Sequence, residues 1–169
     1  PNIEIKNTLE FEKNNKFMGQ SQIKYGSDKL EYNFQFDNQK IEISSPNKKD
    51  TNFNIDSKIQ LKPFYFNGSL IIKNKKAEKI IDNFLLNLVS YNENYLGNLN
   101  GLFNIKFDKL NNKLIKKGEI KLTINEKKIS IDEAKFIIDK IGYINSKMSF
   151  EEDEGDLKFL TKNQLIIEN

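Results

Sequence analysis

The chain of 169 residues contains no histidine, no cysteine, no tryptophan and no arginine. Without histidine and cysteine there is no imidazole general base and no Ser-His or Cys-His nucleophile. Zinc, iron-sulfur and haem ligation through those side chains is excluded as well. Missing arginine removes the planar fork that grips phosphate and carboxylate in two places. Lysine, aspartate, glutamate, tyrosine and serine could still move protons, so these absences weigh against an enzyme without forbidding one. The expectation is a non-catalytic protein with no catalytic residues, no metal and no cofactor. Zero cysteine assigns no compartment, because cysteine-free proteins occur in reducing and oxidising surroundings alike.

Long apolar runs are missing too. The longest are Ile80-Ile81 and Phe84 to Val89, the latter broken by Asn87. Neither approaches the 18 residues of a membrane span, and no basic-then-apolar leader opens the chain. This piece is therefore expected to be soluble. A strand pattern starts at Ile3, almost at the first residue, which suggests a piece excised from a longer protein.

What is present is lysine, asparagine and isoleucine, 74 residues between them. Their codons are AT-rich, and the bias of an AT-rich bacterial genome accounts for much of the polar surface. Apolar residues make up 37%, enough for a sizeable core in one domain. Charged residues make up 30%, yet the net charge is only +3.

Alternation with period two dominates, as in half-buried strands. Ile3, Ile5, Leu9 and Phe11 share one face, with Glu4, Lys6, Thr8 and Glu10 on the other. Phe17, Ile23 and Tyr25 follow through Gly19 and Ser21. Leu30, Tyr32, Phe34 and Phe36 alternate with Glu31, Asn33, Gln35 and Asp37. Asp37-Asn38-Gln39 reads as a turn into Ile41 and Ile43. Phe53 to Leu61 is a further strand, and Asn67-Gly68 reads as a hairpin turn between Phe64-Tyr65-Phe66 and Ser69 to Ile72. From Lys75 the apolar spacing becomes helical: Ala77, Ile80, Ile81, Phe84, Leu85, Leu88 and Val89 line one face, after a possible N-cap at Asn74. Strands resume from Leu99 to Ile167. The expected fold is mainly β: an antiparallel meander of ten to eleven amphipathic strands, as a curved sheet, groove or sandwich, with one helix at 75–91. It forms a single domain over 1–169, with strands in 1–73 and 99–168.

Area limits how such a sheet can be covered. Ten paired strands of seven residues present an apolar face on the order of 1,100 Å². A helix of 16 residues covers roughly 240 Å². Either the sheet closes on itself as a sandwich or barrel, or part of its apolar face stays open to a ligand, a lipid or more protein.

Other features have plain readings. Glu151 to Asp156 could offer oxygen ligands to Ca²⁺, but it lacks the EF-hand spacing and reads as a solvated turn. The lysine pairs at 48–49, 75–76, 116–117 and 127–128 are scattered among acids, so no nucleic-acid partner is expected. Asn67-Gly68-Ser69 fits a glycosylation sequon but reads as the turn.

No single motif announces a function. The run from Gly68 to Asn169 nevertheless resembles the AsmA-like family of bacterial envelope proteins (AsmA, TamB and YhdP types). The similarity lies in Asn67-Gly-Ser-Leu-Ile-Ile, the helix with Ile80, Ile81 and Leu85, Gly101-Leu-Phe-Asn-Ile-Lys-Phe, Gly118-Glu-Ile-Lys-Leu-Thr-Ile and Ile129-Ser-Ile-Asp-Glu-Ala-Lys-Phe-Ile-Ile. Gly142 and Gln164-Leu-Ile-Ile-Glu complete it. The resemblance implies a β groove that carries phospholipid acyl chains across the periplasm, with membrane contact only through regions outside this sequence. Flanking segments of the same longer chain would then be partners. Alternation nominates the groove residues: Leu30, Tyr32, Phe34, Phe36, Phe103, Ile105, Phe107, Ile120, Leu122, Ile124, Phe136 and Ile138. The plainer reading of each is an ordinary core side chain. The alternative function is a structural or protein-interaction β domain with a self-closed core and no ligand.

Overall fold

The computed structural model describes residues 3–12, 16–25, 28–46, 52–73, 99–110, 112–125, 128–153 and 156–168. They form eleven strands: β1 (Ile3–Glu12), β2 (Lys16–Tyr25), β3 (Asp28–Phe36), β4 (Lys40–Ser44), β5 (Phe53–Leu61), β6 (Phe64–Lys73), β7 (Asn100–Asp108), β8 (Ile115–Asn125), β9 (Lys128–Ile138), β10 (Gly142–Asp153) and β11 (Asp156–Ile167). All eleven belong to one sheet, and their order across it is their order in the chain. The sheet is open. Among the described residues β1 and β11 each have one hydrogen-bonded neighbour, and there is no second sheet. The mainly β fold follows from the alternating sequence; among the described residues neither the sandwich nor the barrel version occurs.

Three expectations need correction or limits. The meander is not antiparallel throughout: β6 and β7 pair in parallel, Phe66 opposite Gly101 through Lys73 opposite Asp108. A parallel pair needs a crossover of a dozen or more residues, and the chain between Lys73 and Asn100 supplies it. The helix expected at 75–91 lies outside the described residues, and no helix occurs among the described ones. Asn67-Gly68 is not a turn. Both residues lie inside β6, paired with Lys58 and Ser57. The chain reverses instead at Lys62-Pro63, whose peptide bond is cis. Proline lacks an N–H and fits a turn better than a paired strand, whereas Gly68 leaves space for a neighbouring ring, described below.

Turn chemistry fits the other joints. At β3–β4, Asp37 Oδ1 accepts from the backbone N–H of Gln39 and of Lys40, both at 2.9 Å. At β7–β8, Asn112 Oδ1 accepts from Leu114 N at 2.8 Å and Ile115 N at 2.9 Å. Such side chains mimic a backbone turn. Gly142 opens β10 at φ 142°, a conformation that side-chain-bearing residues rarely adopt.

The core sits on one face of β6 to β9. Ile72, Ile105, Phe107, Leu110, Ile120, Leu122, Ile129, Ile131 and Ala134 are buried together, and Phe53, Leu70, Phe136 and Met148 pack against them. Ile131 and Phe107 are 2% exposed. Burying each such side chain contributes about 1.5–3 kcal/mol.

Candidate functional site

Side chains alternate between the two faces of a strand, and cross-strand partners share a face. The register therefore assigns every strand residue to a face. On the first face Phe17 lies opposite Phe36 and Gly19 opposite Phe34. Phe36 in turn meets Ile41, Ile41 meets Ile59, and Ile59 meets Phe66. Past the crossover, Ile72 meets Phe107, Ile105 meets Ile120, and Ile120 meets Ala134. Ser146 and Asn163 extend the row to the far edge. This single face is mainly apolar from β1 to β11.

Two switches of sequence parity could have broken it. Ile115 is odd while Gly118, Ile120 and Leu122 are even; Ile129 and Ile131 are odd while Ala134, Phe136 and Ile138 are even. Both switches coincide with shifts in register, between Ile115 and Lys117 and between Lys121 and Leu122. The extra residue of each bulge returns the apolar side chains to the common face.

All twelve residues nominated from the sequence fall on this face. Phe103, Ile105, Phe107, Ile120, Leu122, Ile124 and Phe136 gather in the core cluster or against it. Ile138 lies at the end of the same sector, opposite Ile115 and Gly142. Leu30, Tyr32, Phe34 and Phe36 on β3 stand apart, separated from β7 by three strands and only half-buried. There Phe17 and Phe36 approach at 5.7 Å between ring centroids, and Tyr32 and Phe34 at 6.4 Å. The face thus has a dry sector at β6–β9 and a half-open one at β2–β5. Its margins are exposed, with Ile5 at 59%, Leu9 at 57% and Leu165 at 58%. Sequence reasoning nominated none of these margin residues, although the same alternation contains them.

Four glycines share one device that a sequence cannot display. Gly19 lies opposite Phe34, Gly68 opposite Phe103, Gly101 opposite Phe66 and Gly118 opposite Phe136. In each pair the phenyl ring occupies the space that a Cβ would take; a Cβ on Gly68 would come within 2.9 Å of the Phe103 ring. The rings therefore lie down along the face, covering the glycine backbone.

Polar groups interrupt the apolar face, and three of them have side-chain hydrogen bonds. Ser21, 2% exposed, donates to Asn7 Oδ1 at 2.7 Å. Ser57 donates to the Asn67 carbonyl at 3.4 Å. Ser45 Oγ accepts from Ile55 N at 2.8 Å.

The opposite face carries charge in cross-strand and same-strand pairs. Lys29 meets Glu31 at 2.6 Å, Lys40 meets Glu42 at 3.0 Å, and Lys121 meets Glu133 at 2.6 Å. The hydrogen bond from Lys29, then that from Gln22, lowers the pKa of Glu31. Lys40 lowers that of Glu42, and Lys121 that of Glu133. Lys40 and Lys121 are raised in return by the same carboxylates. These shifts belong to exposed ion pairs and require no catalytic role. Clefts of about 360, 400 and 500 Å³ open mainly between the long side chains of this polar face. Among the described residues no group of three acids is arranged to hold a metal ion. Glu151 to Asp153 end β10, and Asp156, paired with Asp153, opens β11.

No protein family matches the chain, and neither a curated protein nor a solved structure matches it. The candidate site therefore stands on geometry alone: one sheet, water-facing on one side and apolar on the other, with the apolar side continuing to both edges.

Proposed function

We propose that this chain is a non-catalytic lipid-binding segment that holds phospholipid acyl chains along the apolar face of its open sheet. It would serve lipid transport in the periplasm as part of an AsmA-like envelope protein. The observation that carries this reading is the continuity of the apolar face across eleven strands, with its β2–β5 sector half-open and its margins exposed. Exposed apolar area of this extent marks an interaction surface. An acyl chain seated there displaces water, at about 0.8 kcal/mol for each buried CH₂. The face offers little polar chemistry to read a headgroup, which fits a ligand held by its acyl chains.

The test is to purify the protein from bacterial cells and record a native mass spectrum. The same sample is extracted with organic solvent and its lipids identified by mass spectrometry. Stoichiometric phospholipid supports the reading. A lipid-free protein that also binds no apolar dye overturns it and leaves a structural or interaction domain.

A further inference from the structure

Among the described residues β1 and β11 are the outer strands of the sheet, and these two edges are complementary to each other. Nine of the ten strand contacts are antiparallel and one is parallel. An odd number of reversals leaves β11 antiparallel to β1. A second copy laid beside the first in the same orientation therefore brings β11 against β1 as an antiparallel pair with the apolar faces on one side. Charged side chains, one usual defence against pairing, occur on both edges, but proline and bulges do not. The strands are ten and twelve residues long, without proline or glycine. Each pairs with its inner neighbour in unbroken register, with no bulge to twist the edge away. Their charges are opposite in balance: β1 holds three glutamates and one lysine, β11 two lysines and one aspartate.

A polar notch sets the register. On the apolar face of β1, Asn7 sits between Ile5 and Leu9, opposite buried Ser21. On the apolar face of β11, Asn163 sits between Thr161 and Leu165, opposite buried Ser146. We infer that the chain assembles head to tail, β11 of one copy adding to β1 of the next, with Asn163 opposite Asn7. Leu165 then faces Ile5 and Thr161 faces Leu9. Lys162 falls opposite Thr8 and Gln164 opposite Lys6, so no two like charges meet directly. Pairing β1 with β1 about Asn7 would instead set Glu4 opposite Glu10, which is destabilising. Pairing β11 with β11 would leave β1 uncovered. A heterologous contact of this kind repeats, so the expected product is a linear array with one continuous apolar face.

The test uses one blocking substitution on each edge, Leu9→Lys and Leu165→Lys, both at exposed positions where the isolated fold tolerates a charge. Mass is measured by light scattering across a concentration series. The unaltered chain is expected to grow past the dimer as concentration rises. Each variant alone is expected to stay at the monomer mass. Their equimolar mixture is expected to reach twice that mass and stop, because each retains the edge that the other lacks. A unaltered chain that remains monomeric, or a single variant that dimerises as strongly as the mixture, overturns the inference. A second measurement does not depend on the blocking lysines. The chain has no cysteine, so Asn7→Cys and Asn163→Cys copies can form only the engineered disulfide. Mixed copies should cross-link under mild oxidation far faster than either alone; equal rates overturn the register.

Discussion

At the scale of single residues, the glycine–phenylalanine pairs are where packing is least forgiving. A Cβ on Gly118 would meet Phe136 Cε1 at 2.7 Å, inside van der Waals contact. Phe136 also packs on Phe107, with 5.9 Å between ring centroids. The ring cannot lift without disturbing the core. Gly118→Ala is therefore expected to destabilise by about 1–3 kcal/mol, the usual cost of overpacking. Gly118→Ala combined with Phe136→Leu should cost less than the two changes added, because the smaller side chain vacates the contested space. Urea unfolding of the four proteins measures this; strict additivity would remove the ring from the explanation. This feature shows the limit of legibility. The sequence displays Gly118 and Phe136 eighteen positions apart, and nothing local links them. Face membership was readable because it needs only alternation; the partner of each glycine needs the register.

At the scale of elements, the β3–β4 turn was legible and the β5–β6 turn was not. Asp37-Asn38-Gln39 announces itself because an aspartate can accept its own turn's N–H groups. Asn67-Gly68 offered equally good turn residues, but the longer pairing of β5 with β6 and the Phe103 ring over Gly68 prevailed. Local turn preference yields when a strand gains more pairs by running through. The parallel β6–β7 contact was likewise invisible, since alternation carries no strand direction. The Asp37 turn has a pH signature. Hydrogen bonds from Gln39 N, then Lys40 N, hold the Asp37 pKa below its ordinary 3.8. Glu31, Glu42 and Glu133 are lowered from 4.5 by their lysine and amide partners. A carboxyl with a lowered folded pKa stabilises fully above its ordinary value and loses that contribution as pH falls through the folded one. Lys40 and Lys121, raised from 10.5, stabilise fully below that value and lose it as pH rises through the folded pKa. With no histidine in the chain, thermal stability should be nearly flat from about pH 6 to 9 and fall below about pH 4.5. Asp37→Ala should lower Tm at neutral pH and shrink the acid loss. A steep change of Tm near pH 6.5, or an acid limb untouched by Asp37→Ala, would contradict this assignment.

At the scale of the whole molecule, the order of strands in the sheet repeats the order in the chain, so almost all strand contacts join neighbours. Stability in such an arrangement is nearly one-dimensional, a sum of strand and neighbour terms, and it need not be lost all at once. The terms are unequal. Among the described residues the buried core lies in the middle, from β6 to β9. β4 has five residues, pairing at four positions with β3 and five with β5. The edge strands leave Ile5, Leu9 and Leu165 in water. Backbone amides should accordingly exchange hydrogen slowest in β7–β9, faster in β2–β5 and fastest at the outer sides of β1 and β11. Mass-spectrometric exchange on the full chain reads this directly. Protection falling outward in steps is expected; one uniform rate for all strands would mean that the sheet opens as a unit. Phospholipid vesicles supply the functional half of the measurement. If acyl chains settle on the apolar face, protection should rise most in β2–β5, where that face is half-open, and least in β7–β9, where it is already dry. An increase confined to the β1 and β11 edges, with β2–β5 unchanged, would instead report edge pairing of copies gathered at the vesicle surface.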